Sequence, residues 1–256
     1  TILHIIELEG TNIMNILARS VLEMYTFDSD PDSTERDNLM RQSIELVSKF
    51  PTIIAYAYNM LRHKQLGRSL HIRHTQEKYS LAENFLYMLK GPRFTDLEAR
   101  TLDLLLILHA EHGGGNNSTF TVRVTSSTGT DTFSSIAAGI GSLKGPKHGG
   151  ANIKVTDMVE HLKKNICNWE DEVEIKRYLT RLLRKEVYDR AGLIYGIGHA
   201  VYTLSDPRAL LLKEMARELA HEKGRDREFA FLERLERLAI ETFYEVRGDK
   251  KKLCAN

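Results

Sequence analysis

Apolar residues recur at three- and four-residue steps along much of the chain, and that spacing predicts helices. Across residues 39–66 the series Ile44, Val47, Phe50, Ile54, Ala57, Met60 and Leu61 follows it. Pro51 falls inside that series. Proline lacks an amide hydrogen and crowds the preceding turn, so a break or a kink is expected there. Thr95-Asp96-Leu97-Glu98 forms a capping box, in which Thr95 and Glu98 satisfy each other's backbone amides. The helix it opens runs through Leu102, Leu105, Ile107 and Leu108 toward His112, where glycines are expected to stop it. Ser205-Asp206-Pro207 supplies a polar cap and an early proline for a further helix that ends near Gly224. Residues 226–246 are amphipathic, with Phe229, Leu232, Leu235, Leu238 and Phe243 on one side and Arg/Glu pairs on the other.

Strand signals are poor. The β-branched run at residues 120–125 shows no sustained alternation, and no Asn-Gly hairpin signal occurs. The fold class is therefore all-α. The 256 residues suffice for one large domain or two modest ones. Apolar residues make up 42% and charged residues 28%, the balance of a soluble globular protein. A formal net charge of +1 gives no overall field to attract nucleic acid or an anionic membrane, so any anionic ligand must be captured by local clusters. The longest apolar run, residues 104–108, is far too short to span a bilayer. Cys167 and Cys254 form no zinc or CxxC spacing. With no export signal visible, they point to a reducing compartment, and a cytoplasmic protein is expected.

Glycines gather in three clusters: Gly113-Gly114-Gly115, the segment Gly145-Pro146-Lys147-His148-Gly149-Gly150, and residues 192–198. Each contains or adjoins a histidine: His112, His148 and His199. Glycine lets the backbone approach a ligand, a helix N-terminus favours anions, and a neutral histidine can donate to a carbonyl or carboxylate. Together they suggest a polyanionic substrate with a carbonyl to polarise. Taken singly, each histidine is equally explained as a cap or turn residue. Gly196 and Gly198 make no dinucleotide fingerprint, because no strand precedes them and the third glycine is absent. Arg208, just inside a helix start, would usually be a solvated charge, but it lies nine residues after His199 and one turn could bring both to a pocket. Lys250, Lys251 and Lys252 read first as a solvated run. His71 and His74 receive no role, and the His109/His112 pair lacks a third ligand for a metal.

Three segments carry a family resemblance. Leu108-His109-Ala110-Glu111-His112-Gly113-Gly114-Gly115-Asn116-Asn117-Ser118 resembles the citrate synthase segment that ends a helix with a histidine. Gly145-Pro146-Lys147-His148-Gly149-Gly150-Ala151-Asn152 resembles that family's GP-x-HGG-AN turn. Gly196-Ile197-Gly198-His199-Ala200-Val201, followed by Asp206-Pro207-Arg208, resembles its G-x-GH-x-V…DPR signature. The order and separations match, and similarity covers essentially the whole chain.

The resemblance implies a two-domain, mostly helical fold, with residues 1–148 in a large domain and 149–256 forming a smaller domain that closes over substrate. It implies condensation of acetyl-CoA with oxaloacetate to citrate and CoA, the first step of the tricarboxylic acid cycle, by a homodimer. No permanently bound cofactor and no metal is implied, acetyl-CoA being a co-substrate. His199 would polarise the oxaloacetate ketone, and His148 would donate to the thioester oxygen. His112, Asn116 and Arg208 would bind oxaloacetate, the arginine as a planar fork. Leu193, Ile194, Tyr195, Gly196, Ile197 and Gly198 would embrace the adenine end of CoA, and Lys250, Lys251 and Lys252 would meet its phosphates.

Departures from the pattern matter too. The family's catalytic aspartate lies in an N-V-D motif, and the chain stops at Cys254-Ala255-Asn256. An internal piece of a longer protein, incomplete at its C-terminus and with little turnover of its own, is therefore expected. Gly113 stands where many relatives have glutamate, and Thr203 replaces a basic residue some relatives place near CoA. A 2-methylcitrate synthase using propionyl-CoA fits the same motifs, and a non-catalytic helical ligand-binding protein is the alternative from another class.

Overall fold

The computed structural model describes residues 12–111, 113–198 and 206–248. His112, His199, Thr203, Lys250, Lys251 and Lys252 lie outside the described residues. The fold is all-α, with ten α-helices, one 3-10 turn and no strand among the described residues. No helix among them is long and apolar enough to cross a membrane. The chain divides into two compact units, Thr1–Gly149 and Gly150–Asn256.

The first unit holds α1 (Ile13–Met24), α2 (Arg36–Leu66), α3 (Leu81–Lys90), α4 (Asp96–His109), α5 (Asn117–Ser126) and α6 (Thr132–Leu143). Polar caps start most of them. The Asn12 carboxamide accepts from the Met14 amide at 2.8 Å, the Thr95/Glu98 box opens α4, and the Asp131 carboxylate accepts from the Ser134 amide at 2.8 Å. Ser80 and Glu83 form a second capping box, at the start of α3. The core gathers Leu17, Val21 and Met24 from α1, Leu46 and Ile53 from α2, and Phe133 and Ile140 from α6. Gly139 lets α6 approach α5, since a β-carbon there would sit 2.6 Å from Val122 Cγ2.

Pro51 does not break α2, which runs unbroken from Arg36 to Leu66. The hydrogen bond that proline forfeits is the one to the Val47 carbonyl. Val47 lies on an exposed stretch of the helix, 62% exposed, where a missing intrahelical bond is least costly. Helix α4 ends at His109, before the glycines expected to stop it, with Ala110 as its C-cap.

The second unit holds α7 (Ala151–Asn165), α8 (Glu172–Leu183), α9 (Pro207–Glu222) and α10 (Asp226–Arg247). Met158 and Leu162 of α7, Ile175, Leu179 and Leu182 of α8, and Phe231, Leu235, Leu238 and Ala239 of α10 close a continuous core. Each such Leu or Phe contributes roughly 1.5–3 kcal/mol on burial. Helix α10 buries Leu235 and Leu238 and packs Phe243 on the core, as its amphipathic pattern predicts, with Phe231 fully buried and Leu232 38% exposed. Trp169 stacks on Phe231 with ring centroids 5.0 Å apart, a contact from the loop before α8 that covers this end of the core.

Candidate active site

In the first unit, residues that are far apart in sequence converge around His148. Asn116 caps α5 through its carboxamide oxygen, which accepts from the amides of Ser118 at 2.9 Å and Thr119 at 3.2 Å. That cap sets the first turn of α5 and with it Ser118. After α6 the chain folds through a tight turn in which the Gly145 amide donates to the Ser142 carbonyl at 3.1 Å and the His148 amide to the Gly145 carbonyl at 2.9 Å. Asn117 Nδ2 donates to Ser142 Oγ at 2.7 Å, tying the start of α5 to the end of α6. Gly149 must be glycine for steric reasons, because a β-carbon would lie 2.6 Å from Leu143 Cδ1 and 2.8 Å from the Leu143 carbonyl oxygen.

The result is a hydrogen bond of 2.8 Å between Ser118 Oγ and His148 Nε2. It occupies one ring nitrogen of the half-buried histidine and fixes its plane, leaving Nδ1 as the other polar atom of the ring. Ser118 is the member of this candidate site that sequence reasoning did not single out. It stood inside a quoted motif, but only the packing of α5 on α6 brings it to His148.

In the second unit, Asp206 caps α9 and also holds Arg208. Its carboxylate accepts from the Arg208 amide at 2.9 Å, from Nε at 3.0 Å and from Nη2 at 2.6 Å. In this structure the Arg208 guanidinium forms a planar fork on Asp206 of its own helix cap. The carboxylate is buried, with 6% of the side chain exposed, so the pair is shielded from solvent. Residues 193–198 lie in an irregular segment between α8 and α9. Ile194 is buried in the core of the unit while Leu193 is 53% exposed. Gly196 and Gly198 take φ of 84° and 96°, backbone open to glycine and strained for other residues.

Outside these places, a shallow apolar groove of about 320 Å³ is lined by Ser43, Ile44, Val47, Ser48 and Leu81. No charged residue lines it, and its two serines donate to the Leu39 and Glu45 carbonyls of their own helix. His109 turns its Nδ1 back onto the Leu105 carbonyl of its own helix at 2.7 Å.

Comparison with known proteins identifies relatives. The family described as "Citrate synthase, C-terminal domain" matches residues 2–256. The chain is 34% identical over 233 residues to the citrate synthase of Deinococcus radiodurans, an alignment covering 91% of this chain and 57% of that protein. It is 37% identical over 183 residues to the 2-methylcitrate synthase of Shewanella oneidensis, covering 71% of this chain and 44% of the relative. Among solved structures, the citrate synthase from Pyrobaculum aerophilum superimposes with a TM-score of 0.76 at 29% identity, covering all of this chain and 61% of that one. The chain thus spans just over half the length of the first of these relatives.

Proposed function

The chain belongs to the citrate synthase family, and from that premise we propose that the whole protein condenses acetyl-CoA with oxaloacetate to give citrate and CoA. The observation that carries this reading is the Ser118–His148 hydrogen bond at 2.8 Å. With the serine hydroxyl donating to Nε2, the imidazole proton rests on Nδ1, and a neutral histidine becomes a donor of defined direction. Aimed at the thioester oxygen, Nδ1 stabilises the enol that forms when the methyl carbon gives up a proton to a base. The enol carbon then attacks the ketone carbon of oxaloacetate, which His199 polarises. Water finally cleaves the carbon–sulfur bond of citryl-CoA and releases CoA.

Arg208, with His112 and the amide nitrogen of Asn116, is assigned to the carboxylates of oxaloacetate. The carboxamide oxygen of Asn116 is already engaged at the α5 cap, which leaves the NH₂ for the substrate. The arginine's pairing with Asp206 keeps the guanidinium plane fixed in advance of binding, so little rotamer freedom is lost when substrate arrives. Residues 193–198, with Lys250, Lys251 and Lys252, are assigned to CoA, which is a co-substrate; no permanently bound cofactor enters the mechanism. Residues 1–148 belong in this proposal to the large domain and 149–256 to the small domain that closes over oxaloacetate.

A homodimer is the proposed assembly, in a cytoplasmic setting. Ile107 of α4 is 62% exposed and Phe120 of α5 59% exposed, apolar side chains that association would cover.

The 37% identity to a 2-methylcitrate synthase favours a second reading, in which propionyl-CoA is the acyl donor. One methylene is worth only about 1–3 kcal/mol in an apolar pocket, so comparing initial rates with the two thioesters decides between them. The test of the shared chemistry is CoA release from acetyl-CoA by the full-length protein, with and without oxaloacetate. Release should require oxaloacetate and fall by about 10²–10³-fold in His148→Ala, the scale for losing one preorganised oxyanion donor. Release that ignores oxaloacetate, or survives His148→Ala, sinks the assignment.

A further inference from the structure

Residues 185–198 carry an unusual concentration of left-handed backbone: Lys185, Tyr188, Arg190, Gly192, Gly196 and Gly198 all have positive φ between 56° and 96°. Three of these, Lys185, Tyr188 and Arg190, bear side chains that disfavour the conformation. A segment of this kind does not hold its shape through local preference, so its shape must be imposed by contacts.

Several contacts anchor it to the helices of its own unit. Arg247 Nη2 of α10 donates to the Gly192 carbonyl at 3.0 Å, and the Tyr195 amide meets Met158 Sδ of α7 at 3.4 Å. Within the segment one bond joins its two arms: the Tyr195 hydroxyl donates to Asp189 Oδ2 at 2.6 Å. The other carboxylate oxygen accepts from the Ala191 amide at 3.0 Å, so Asp189 organises both the turn and the phenol. Lys154 of α7 stands 3.8 Å from Asp189 Oδ2 and 6.0 Å from the Tyr195 ring centroid, close enough to favour the carboxylate and the ring face together. Tyr188 lies edge-on to Tyr195, with centroids 6.3 Å apart, and so closes the other side.

We infer that the Asp189–Tyr195 hydrogen bond is a clasp that holds residues 193–198 in the shape that receives the acyl-CoA, making both side chains positioning residues for that substrate. This rests on the assignment of residues 193–198 to CoA given above. A directional bond between a carboxylate and a phenol suits the task better than apolar packing, because it sets the course of the glycine-rich backbone that follows Tyr195. The ionisation of both groups agrees with a strong contact. The hydrogen bond to Asp189, with burial, pushes the Tyr195 hydroxyl up to about 12. Burial alone would raise Asp189, but the bonds from Tyr195 and the Ala191 amide and the charge of Lys154 outweigh it and hold the carboxyl below its usual range.

The test uses the full-length protein and four variants: Tyr195→Phe, Asp189→Ala, their combination, and Asp189→Asn, which keeps an acceptor oxygen. Tyr195→Phe and Asp189→Ala should each raise KM for acetyl-CoA about tenfold, the scale of one charge-assisted hydrogen bond, with kcat and the oxaloacetate KM within about twofold. The double variant should be no worse than Asp189→Ala, because Tyr195→Phe removes a bond that Asp189→Ala has already removed, and Asp189→Asn should recover much of the loss. An unchanged KM for acetyl-CoA overturns the inference. So does a fall in kcat and both affinities together with a lower melting temperature, which describes a general structural role. Additive effects of the two substitutions also overturn it, since the phenol would then meet the ligand itself. A wild-type protein that turns over neither acetyl-CoA nor propionyl-CoA overturns the functional assignment and this inference with it. A wild type that turns over normally alongside unaffected variants overturns the inference alone.

Discussion

The turn around His148 and the segment around Tyr195 look alike in sequence, each a glycine cluster beside a histidine, yet they use glycine for different physical reasons. At Gly149 the need is space: the Leu143 carbonyl lies where a β-carbon would go, at 2.8 Å. At Gly192, Gly196 and Gly198 the need is conformation, since φ runs from 73° to 96°. The first turn is held by short-range backbone hydrogen bonds and one side-chain contact, Ser118 to His148. The second is held by long side chains reaching in from α7 and α10, and by the Asp189–Tyr195 bond. A rigid turn suits a group that must aim one nitrogen at a reacting oxygen. A segment shaped from outside suits recognition of an extended ligand, where several backbone groups share the contact.

Alanine substitutions test that division, and the largest effect belongs to the first turn. Gly149→Ala must push Leu143 and the 145–149 backbone apart, shifting His148 relative to Ser118. A displacement of about 1 Å costs roughly 10²-fold in rate, so oxaloacetate-dependent CoA release should drop by about that factor while the helical circular dichroism signal persists. Activity within threefold of wild type would mean the turn is not what aims His148. Gly192→Ala is the second. A left-handed alanine costs roughly 1–2 kcal/mol, and the new methyl would also press on the Leu183 carbonyl at 3.1 Å. Urea denaturation should record a stability loss of that order, with kcat falling less than in Gly149→Ala. Equal stability would show that the segment is less tightly determined than its contacts imply. The smallest effect has the opposite sign. Gly141 sits exposed in the last turn of α6 with nothing within 4 Å of its would-be β-carbon, so Gly141→Ala should stabilise by about 0.5 kcal/mol and leave turnover unchanged. A loss there would expose a role for glycine that neither space nor backbone conformation explains.

Much of the scaffold was legible beforehand. The Thr95/Glu98 box and the Asp206-Pro207 start are local signals, and both helices begin where those residues say. The all-α class followed from periodicity, and the His148 and Arg208 motifs announced themselves through glycine, proline and charge. Pro51 was expected to break or kink α2, and α2 does not break there. The buried face of α10 was read correctly at Leu235 and Leu238, but Leu232 is exposed and Phe231, stacked on Trp169, is buried instead. Ser118 was passed over because, although it ends the 108–118 motif, nothing in that motif pairs it with His148, 30 residues away.

The sequence by itself determined the helices, their caps and the residues able to do the chemistry, because those depend on interactions between neighbours one to four positions apart. Tertiary structure alone decided that Ser118 meets His148, that Asp206 holds the Arg208 fork and that Asp189 clasps Tyr195. Even the short-range pairs among these depend on side-chain direction, which packing selects from several rotamers of similar energy. The long-range pair depends on how α5 crosses α6, and that geometry is a property of the assembled core.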